Sequence, residues 1–344
     1  MAASASPDRA AETAGAQTRA PGPGRGPDCG PVGGRAPAFG HGAGHGVGQA
    51  GRGIALMLLS TLFFAGMNAS VKSLGPAIPT EQVLFFRNLF ALLPVAAMVW
   101  RAGSLSVLKP NRPLQHVWRA AAGLVSLGTF FWCYARLPLA DVIAVSFSAP
   151  LFVTALSPWL LGEAVGPRRW AAVVVGFLGT LLIVRPGQSG FDPQLLLVLV
   201  ATFFYAQVLI SVRKLNRTDT PTAIVFWYLV ISVAATALAL PFVWVTPSLQ
   251  GWLLLIGLGL FGGVAQLIVT AAFRYADAAV LAPFDYASIL WGSTLGWLIW
   301  GEVPKHTLWA GAAVLIASGL YIAHREARLG LLGRARRRAP PAEL

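Results

Sequence analysis

Two stretches 141 positions apart repeat each other. Thr61, Phe63, Phe64, Ala65, Ser70, Val71, Lys72 and Leu74 recur as Thr202, Phe204, Tyr205, Ala206, Ser211, Val212, Arg213 and Leu215. Pro79-Thr80 with Val83 reappears as Pro221-Thr222 with Val225. Near each half's end, Gly162-Glu163 with Trp170-Ala171 returns as Gly301-Glu302 with Trp309-Ala310, now offset by 139. The chain therefore holds two copies of one unit.

Ten apolar segments follow Gly53, over approximately 54–71, 82–100, 117–135, 142–161, 170–184, 195–212, 222–244, 252–273, 280–300 and 308–323. A bilayer span takes about 20 residues, with a range of about 17–25. The fifth and tenth segments run slightly short, and they hold equivalent places in the two copies. The apolar pattern is continuous rather than alternating, which excludes strands. Composition agrees: 56% of the residues are hydrophobic and 11% charged, where a soluble domain carries about 25% charged residues. The chain reads as an all-α polytopic membrane protein. Five spans per copy, an odd number, turn the second copy upside down relative to the first.

Positive charge tests this topology, because Lys and Arg concentrate in cytoplasmic loops. With the N-terminus inside, the inner loops hold Arg101, Lys109, Arg112, Arg119, Arg168, Arg169, Arg213, Lys214, Arg217 and Arg274. The C-terminal tail adds Arg325, Arg328, Arg334, Arg336, Arg337 and Arg338. The outer loops hold only Lys72, Arg136, Arg185 and Lys305, so 16 basic residues face 4. Ten spans with both ends cytoplasmic fit this bias. The inversion shows in the pairs: Lys72 ends its span outside and Arg213 inside, while Glu163 lies at an inner helix end and Glu302 at an outer one.

Four segments follow. Residues 1–52 form a Gly-, Pro- and Arg-rich tail too poor in aliphatic runs to build a core; residues 53–190 and 191–324 are the two repeats; residues 325–344 are a basic tail. The first segment lacks the apolar centre and cleavage site of a signal peptide, and an overlong gene start with Met57 as the true beginning is an open alternative. His41 and His45 have a metal-ligand look but lie in this tail, where spacer residues are the simpler reading. Cys29 lies in the tail and Cys133 inside a span, so neither a pairing nor a metal site is expected. The net charge of +13 sits at span ends and tails without a basic, aromatic-interleaved stripe, which argues against nucleic-acid binding.

Phe86-Arg87-Asn88 in span two, Ala149-Pro150-Leu151 in span four, Leu161-Gly162-Glu163, Arg185-Pro186-Gly187, and Asp285-Tyr286 through Gly301-Glu302 in span nine resemble the drug/metabolite transporter superfamily, in its EamA type with two five-helix repeats. The resemblance covers about residues 53–324. It implies small-molecule transport by alternating access through a central cavity, with no chemistry on the substrate and no bound cofactor. Its members include amino-acid and metabolite exporters, riboflavin carriers and S-adenosylmethionine carriers; span two and the Arg-Pro-Gly region look closest to the last two.

Ionisable groups inside spans cost about 2.5–3.5 kcal/mol each on insertion scales, so each needs a reason. Arg87, about six residues into span two, either snorkels outward or presents a cation to an anionic substrate group. The repeat favours the second, since the equivalent site in span seven is Leu229. Asp285, whose repeat counterpart is Ser146, either neutralises Arg274 or caps a backbone break beside Pro283, or it serves as a protonatable group on the path. The two differ in depth by roughly 12 Å at ~1.5 Å per residue, so each is expected near its own mouth rather than in an ion pair. Glu163 and Glu302 occur in both copies and are expected to accept hydrogen bonds at the start of the next helix. Lys72 is either an outer anchor or an outer gate. Ser60, Phe64, Asn68 and Lys72 share a face of span one. Asn68 and the amides Gln207 and Gln266 are candidates for substrate contact or for helix–helix hydrogen bonds. Pro150, Pro158 and Pro283 remove backbone donors inside spans four and nine. Gly259/Gly263 and Gly292/Gly296 have the spacing of close helix packing. Trp132, Tyr205, Trp227, Tyr228 and Trp291 are candidate stacking rings.

Rival classes find little support. No Gly-Lys dipeptide exists to cradle a nucleotide phosphate. Gly187-Gln188-Ser189-Gly190 matches a nucleophile motif superficially but has no base within reach, and no His-Glu-x-x-His exists for zinc. A passive channel or uniporter remains the alternative. The sequence is therefore read as a secondary transporter of the inner (plasma) membrane that moves a small organic metabolite, with the bilayer and substrate as partners. Proton coupling and a homodimer are further expectations.

Overall fold

In the computed structural model, residues 47–102, 105–162, 165–185, 192–273, 275–276 and 278–338 are described. They form α1 (Val47–Leu74), α2 (Thr80–Ala102), α3 (Pro113–Tyr134), α4 (Leu139–Ser146), α5 (Ala149–Leu161), α6 (Pro167–Val184), α7 (Leu195–Leu215), α8 (Pro221–Val243), α9 (Leu249–Ala272), α10 (Ala278–Asp285), α11 (Ala287–Trp300) and α12 (His306–Arg338). Two short 3-10 turns follow α1 and α2, and no strand occurs among the described residues. Seven spans are long and apolar enough to cross a membrane on length and composition alone, α4 and α5 counting as one of them. The charged α2 and α3 and the α10–α11 pair supply the other three of the ten.

Helix is the outcome because backbone polar groups in hydrocarbon must be satisfied within the segment. Local signals set the ends. Thr220 accepts from the Ala223 amide and Ser248 from the Gly251 amide, each at 3.1 Å, at the starts of α8 and α9. Gly162 and Gly301 end α5 and α11 in the left-handed conformation, both with φ 68°. That conformation favours glycine, which explains why the Gly-Glu pair survives in both copies.

Spans four and nine are each two helices. The first breaks at Phe147-Ser148 and the second at Tyr286, positions that correspond in the repeat. Pro150 falls in the first turn of α5, where a missing amide costs nothing. Pro158, Pro94 and Pro241 lie within helices that continue through them. The carbonyls freed at the breaks take hydroxyl partners: Ser148 donates to Val145 O at 2.7 Å and Ser288 to Asp285 O at 2.6 Å. Phe147 and Tyr286 pack ring to ring, 4.5 Å between centroids. The two breaks therefore meet on the pseudo-two-fold axis.

Helix pairing obeys that axis. α1 packs on α9 as α7 packs on α3; α2 pairs with α8 and α6 with α12; α1 takes α10 and α11 as α7 takes α4 and α5. Glycine permits the closest approaches. Gly259 faces Phe90 and Gly263 faces Pro94 between α9 and α2, and Gly311 lies against the Gly179 carbonyl between α12 and α6. The small-residue spacing thus serves packing, as expected.

The symmetry is broken at one place. α1 begins and α12 leaves at one end of the bundle, here the terminal end. At the opposite, far end, α4 packs tightly on α11, with Ile143 seated on Gly292. The symmetry mate of this contact, α5 on α10 at the terminal end, has no comparable packing among the described residues. α1 also packs on α3 and α4, while the equivalent pairs α7–α9 and α7–α10 show no comparable packing among the described residues. The main apolar core accordingly reaches the far end through Val71, Leu74, Leu137 and Leu139, whereas a separate small cluster of Met57, Ala272, Ala276 and Leu281 serves the terminal end.

Candidate functional site

The far end is tied by an ion pair across the repeats. Lys72, in the last turn of α1, pairs with Glu302, which follows α11. The ammonium also donates to Leu137 O at 2.6 Å and lies 5.2 Å from the Trp300 ring centroid. The second Glu302 oxygen accepts the Leu139 amide at 3.2 Å. That amide is the first of α4, so the carboxylate sits on the positive end of a helix. This corrects the expectation that Glu302 serves the next helix in sequence: it caps a helix of the other repeat. Side chains of Lys72 and Glu302 are only 9% and 25% exposed, so the pair is partly desolvated. A cavity of about 150 Å³ lies beside it, lined by Asp141, Ser293, Glu302 and Lys305 among others. Glu163, the other member of the signature, lies outside the described residues, as do Arg274, Cys29, His41, His45 and the 187–190 segment.

Deeper in the bundle, two arginines face inward without carboxylate partners. Arg119 is 9% exposed, its guanidinium carbon 4.6 Å from the Tyr228 ring centroid. Gly123, one turn on, lets that ring lie against α3: a Cβ there would stand 2.7 Å from a Tyr228 ring carbon. Nε and one terminal nitrogen of Arg119 have no hydrogen-bond partner. Arg87 donates to Asn88 Oδ1 at 2.9 Å, while its Nε is buried and unpartnered. Asn88 is fully buried, and its amide nitrogen also lacks a partner. Arg87 and Tyr205 are near enough to act on the Arg119 charge. The stacked tyrosine returns about 0.5–2 kcal/mol per cation, less than the ~2.5–3.5 kcal/mol that a charge costs in the membrane. The pair is under-compensated.

The count of inner-loop cations had included Arg119; the structure instead turns it into the bundle. α3 begins at Pro113, four residues before the apolar segment suggests, because proline at the first helical position costs no hydrogen bond. Arg119 therefore falls in the second turn, on the packed face with His116, Ala120 and Gly123. Arg169 is likewise buried, in α6.

Asp285 ends α10 at the helix break rather than at a mouth. It lies at exposed surface, as does Tyr205, 42% exposed and within electrostatic reach of both Asp285 and Arg119. Among the described residues Arg87 and Asp285 form no ion pair. Lys72–Glu302 is an ion pair; His116 Nε2 lies 3.7 Å from the Asp219 carboxylate, an ion pair only when the imidazole is protonated.

The remaining candidates are dispersed. Asn68 and Gln207 are half-buried and Gln266 is exposed on α9. Of the rings, Trp291 donates to Thr61 at 3.2 Å and Trp227 to Leu108 O at 2.8 Å, so both tie helices or loops together. Trp132 stacks under Arg136, 4.2 Å away. Ser60 is buried and donates to Met57 O. Cys133 is free and buried.

On the terminal face, Asp219 joins the loop after α7 to the loop before α3. It accepts the Asn111 amide at 2.7 Å and the Thr218 hydroxyl at 2.9 Å. Burial raises the carboxyl's pKa, but these hydrogen bonds and the His116 charge outweigh it and hold the group below its ordinary value.

Residues 51–185 and 193–323 each match the EamA-like transporter family. A riboflavin transporter of Vibrio cholerae is 33% identical over 282 residues, covering 80% of this chain and 94% of the relative. A pseudopaline exporter of Pseudomonas aeruginosa is 29% identical over 271 residues, covering 77% and 94%. An S-adenosylmethionine uptake transporter of Rickettsia bellii is 28% identical over 276 residues, covering 80% and 94%. A solved crystal structure superposes with a TM-score of 0.53 at 24% identity, over 80% of this chain and 97% of that one, which speaks to the fold alone. Two matched repeats over nearly the whole helical region, with full-length relatives, carry the assignment: the chain belongs to the EamA-like transporter family.

Proposed function

We propose that the protein is a secondary transporter that carries a small organic metabolite across the inner membrane by alternating access. One observation carries the mechanism. Two inverted copies pair their main helices by the same rules, yet the far end is closely packed and its symmetry mate has no comparable packing among the described residues. Exchanging the two arrangements between the copies moves the opening from one end to the other, and no new fold is needed. On this reading both termini are cytoplasmic, the far end faces outward, and the state described is closed to the outside. The Lys72–Glu302 pair is the outer clasp. Asp285, at the break beside Tyr286, is the group that links transport to a proton. Arg87 contacts substrate, with Asn68, Gln207 and Gln266 as further polar contacts. The named relatives support small metabolites of the riboflavin, S-adenosylmethionine or pseudopaline kind, without choosing among them. Nothing in the mechanism asks for catalysis or a cofactor.

Purified protein in liposomes tests the reading. Labelled riboflavin, S-adenosylmethionine and amino acids should include at least one solute with saturable uptake and counterflow. Flux that rises linearly with concentration and lacks counterflow would replace the carrier with a channel.

A further inference from the structure

Arg119 has a geometry that a purely architectural cation lacks. It is buried, held flat against Tyr228, and carries two nitrogens with no acceptor. Arg87 repeats the pattern from α2: one bond to its neighbour Asn88 and a buried, unpartnered Nε. Asn88 adds an unpartnered amide donor with no exposure at all. Every one of these orphan groups is a donor, and neither arginine has a carboxylate partner among the described residues. Donors gathered without an acceptor in a low-dielectric interior define what is missing, namely an anion with several acceptor oxygens. Tyr228, seated against Gly123, holds one guanidinium over its ring and so limits its freedom, which favours bidentate recognition of an oxyanion.

α2 packs on α3, α8 and α9, and the Arg87 Nε faces Gly262 of α9. We infer that Arg87 and Arg119, with the Asn88 amide, line one oxyanion site among these four helices that holds a carboxylate or phosphate group of the transported molecule. This rests on the carrier reading and narrows it to organic anions and zwitterions. Asp285, also within electrostatic reach of Tyr205, then offers its carboxylate to the remainder of the substrate, where a cationic or hydrogen-bonding group would sit.

The test uses the full chain in detergent and in liposomes. Without ligand, Arg119→Met removes an unpaired buried charge and keeps an apolar contact for Tyr228. The melting temperature should rise, by about 2 °C or more. A fall would make Arg119 a structural residue and overturn the inference. With the wild type, succinate and inorganic phosphate should each be tried as stabilising probes beside uncharged riboflavin. Stabilisation by succinate alone assigns a carboxylate site, and stabilisation by both assigns a general oxyanion site. Arg87→Gln and Arg119→Gln should each weaken that binding on the order of 10- to 100-fold, the loss of a charge-assisted hydrogen bond. No response to either anion would overturn the inference. Saturable transport of an uncharged solute, indifferent to both substitutions, would overturn it too while leaving the carrier standing. Absence of any saturable flux would instead sink the carrier reading, and anion binding would persist.

Discussion

Glu302→Gln should loosen the far end. The substitution keeps a carbonyl oxygen for the Leu139 amide and removes the charge that Lys72 pairs with. An exposed ion pair contributes ~0–1 kcal/mol, and breaking a buried one costs about 3–5 kcal/mol. At 9% and 25% exposure this pair lies between; without the Glu302 charge Lys72 keeps Leu137 O, the Trp300 ring and the electrostatic reach of Asp141. A loss of about 2–3 kcal/mol shifts a two-state equilibrium by roughly 30- to 150-fold toward the far-end-open form. Ser293→Cys is the reporter, a buried position in the cavity below the clasp, in a background with Cys29 and Cys133 replaced by serine. A membrane-impermeant maleimide added from the far side should label it slowly with Glu302 present and at least about threefold faster with glutamine, taking a conservative tenth of the calculated range. Lys72→Met should give the same acceleration, and the double variant no more than either alone. Equal labelling rates in the parent and both variants, at equal membrane expression, would show that the pair holds nothing closed.

Three further outcomes are expected. Asp285→Asn should flatten the pH dependence of transport while leaving substrate binding at neutral pH measurable; an unchanged pH profile of uptake would assign a uniporter. Gly311→Ala places a Cβ 2.6 Å from the Gly179 carbonyl oxygen; backbone cannot step aside, so α6 and α12 must separate at a cost of about 1–3 kcal/mol, read as a lower melting temperature in detergent. Asp219 has a folded-state pKa below its unfolded value, so its contribution is full above about pH 4 and fades as pH falls through the lowered value. Asp219→Asn should therefore destabilise the protein at neutral pH and narrow its gap to the parent in acid, measured by melting at a series of pH values.

The architecture was legible because a bilayer leaves few choices. Continuous apolar runs of the right length, an odd number per copy, and loop charge of alternating density determine ten antiparallel spans before any packing is known. The helix break at Phe147 was legible in Pro150, which has no amide to offer the Ser146 carbonyl; the break at Tyr286 was not, since no proline follows it at that spacing and the ring packing on Phe147 belongs to the other copy. Arg87 and Asp285 announced themselves as charges inside apolar segments. Arg119 did not, because two residues separate it from the predicted start of its span and a charge at a span's edge looks like loop. Only its burial under Tyr228 distinguishes it, and that depends on Gly123, a small residue with no signal of its own. The partner of Glu302 was out of reach for a similar reason: Lys72 and Leu139 belong to the other copy, and sequence distance says nothing about which repeat supplies the cap.

The Ile143–Gly292 contact holds a forecast for the conformation not described. Moved through the repeat, Ile143 becomes Ala282 and Gly292 becomes Val153, so the bulky and slight partners trade sides. A branched residue again meets a small one, now on α5 and α10. The duplicated half thus stores, in a swapped knob and hollow, the template for sealing the opposite mouth.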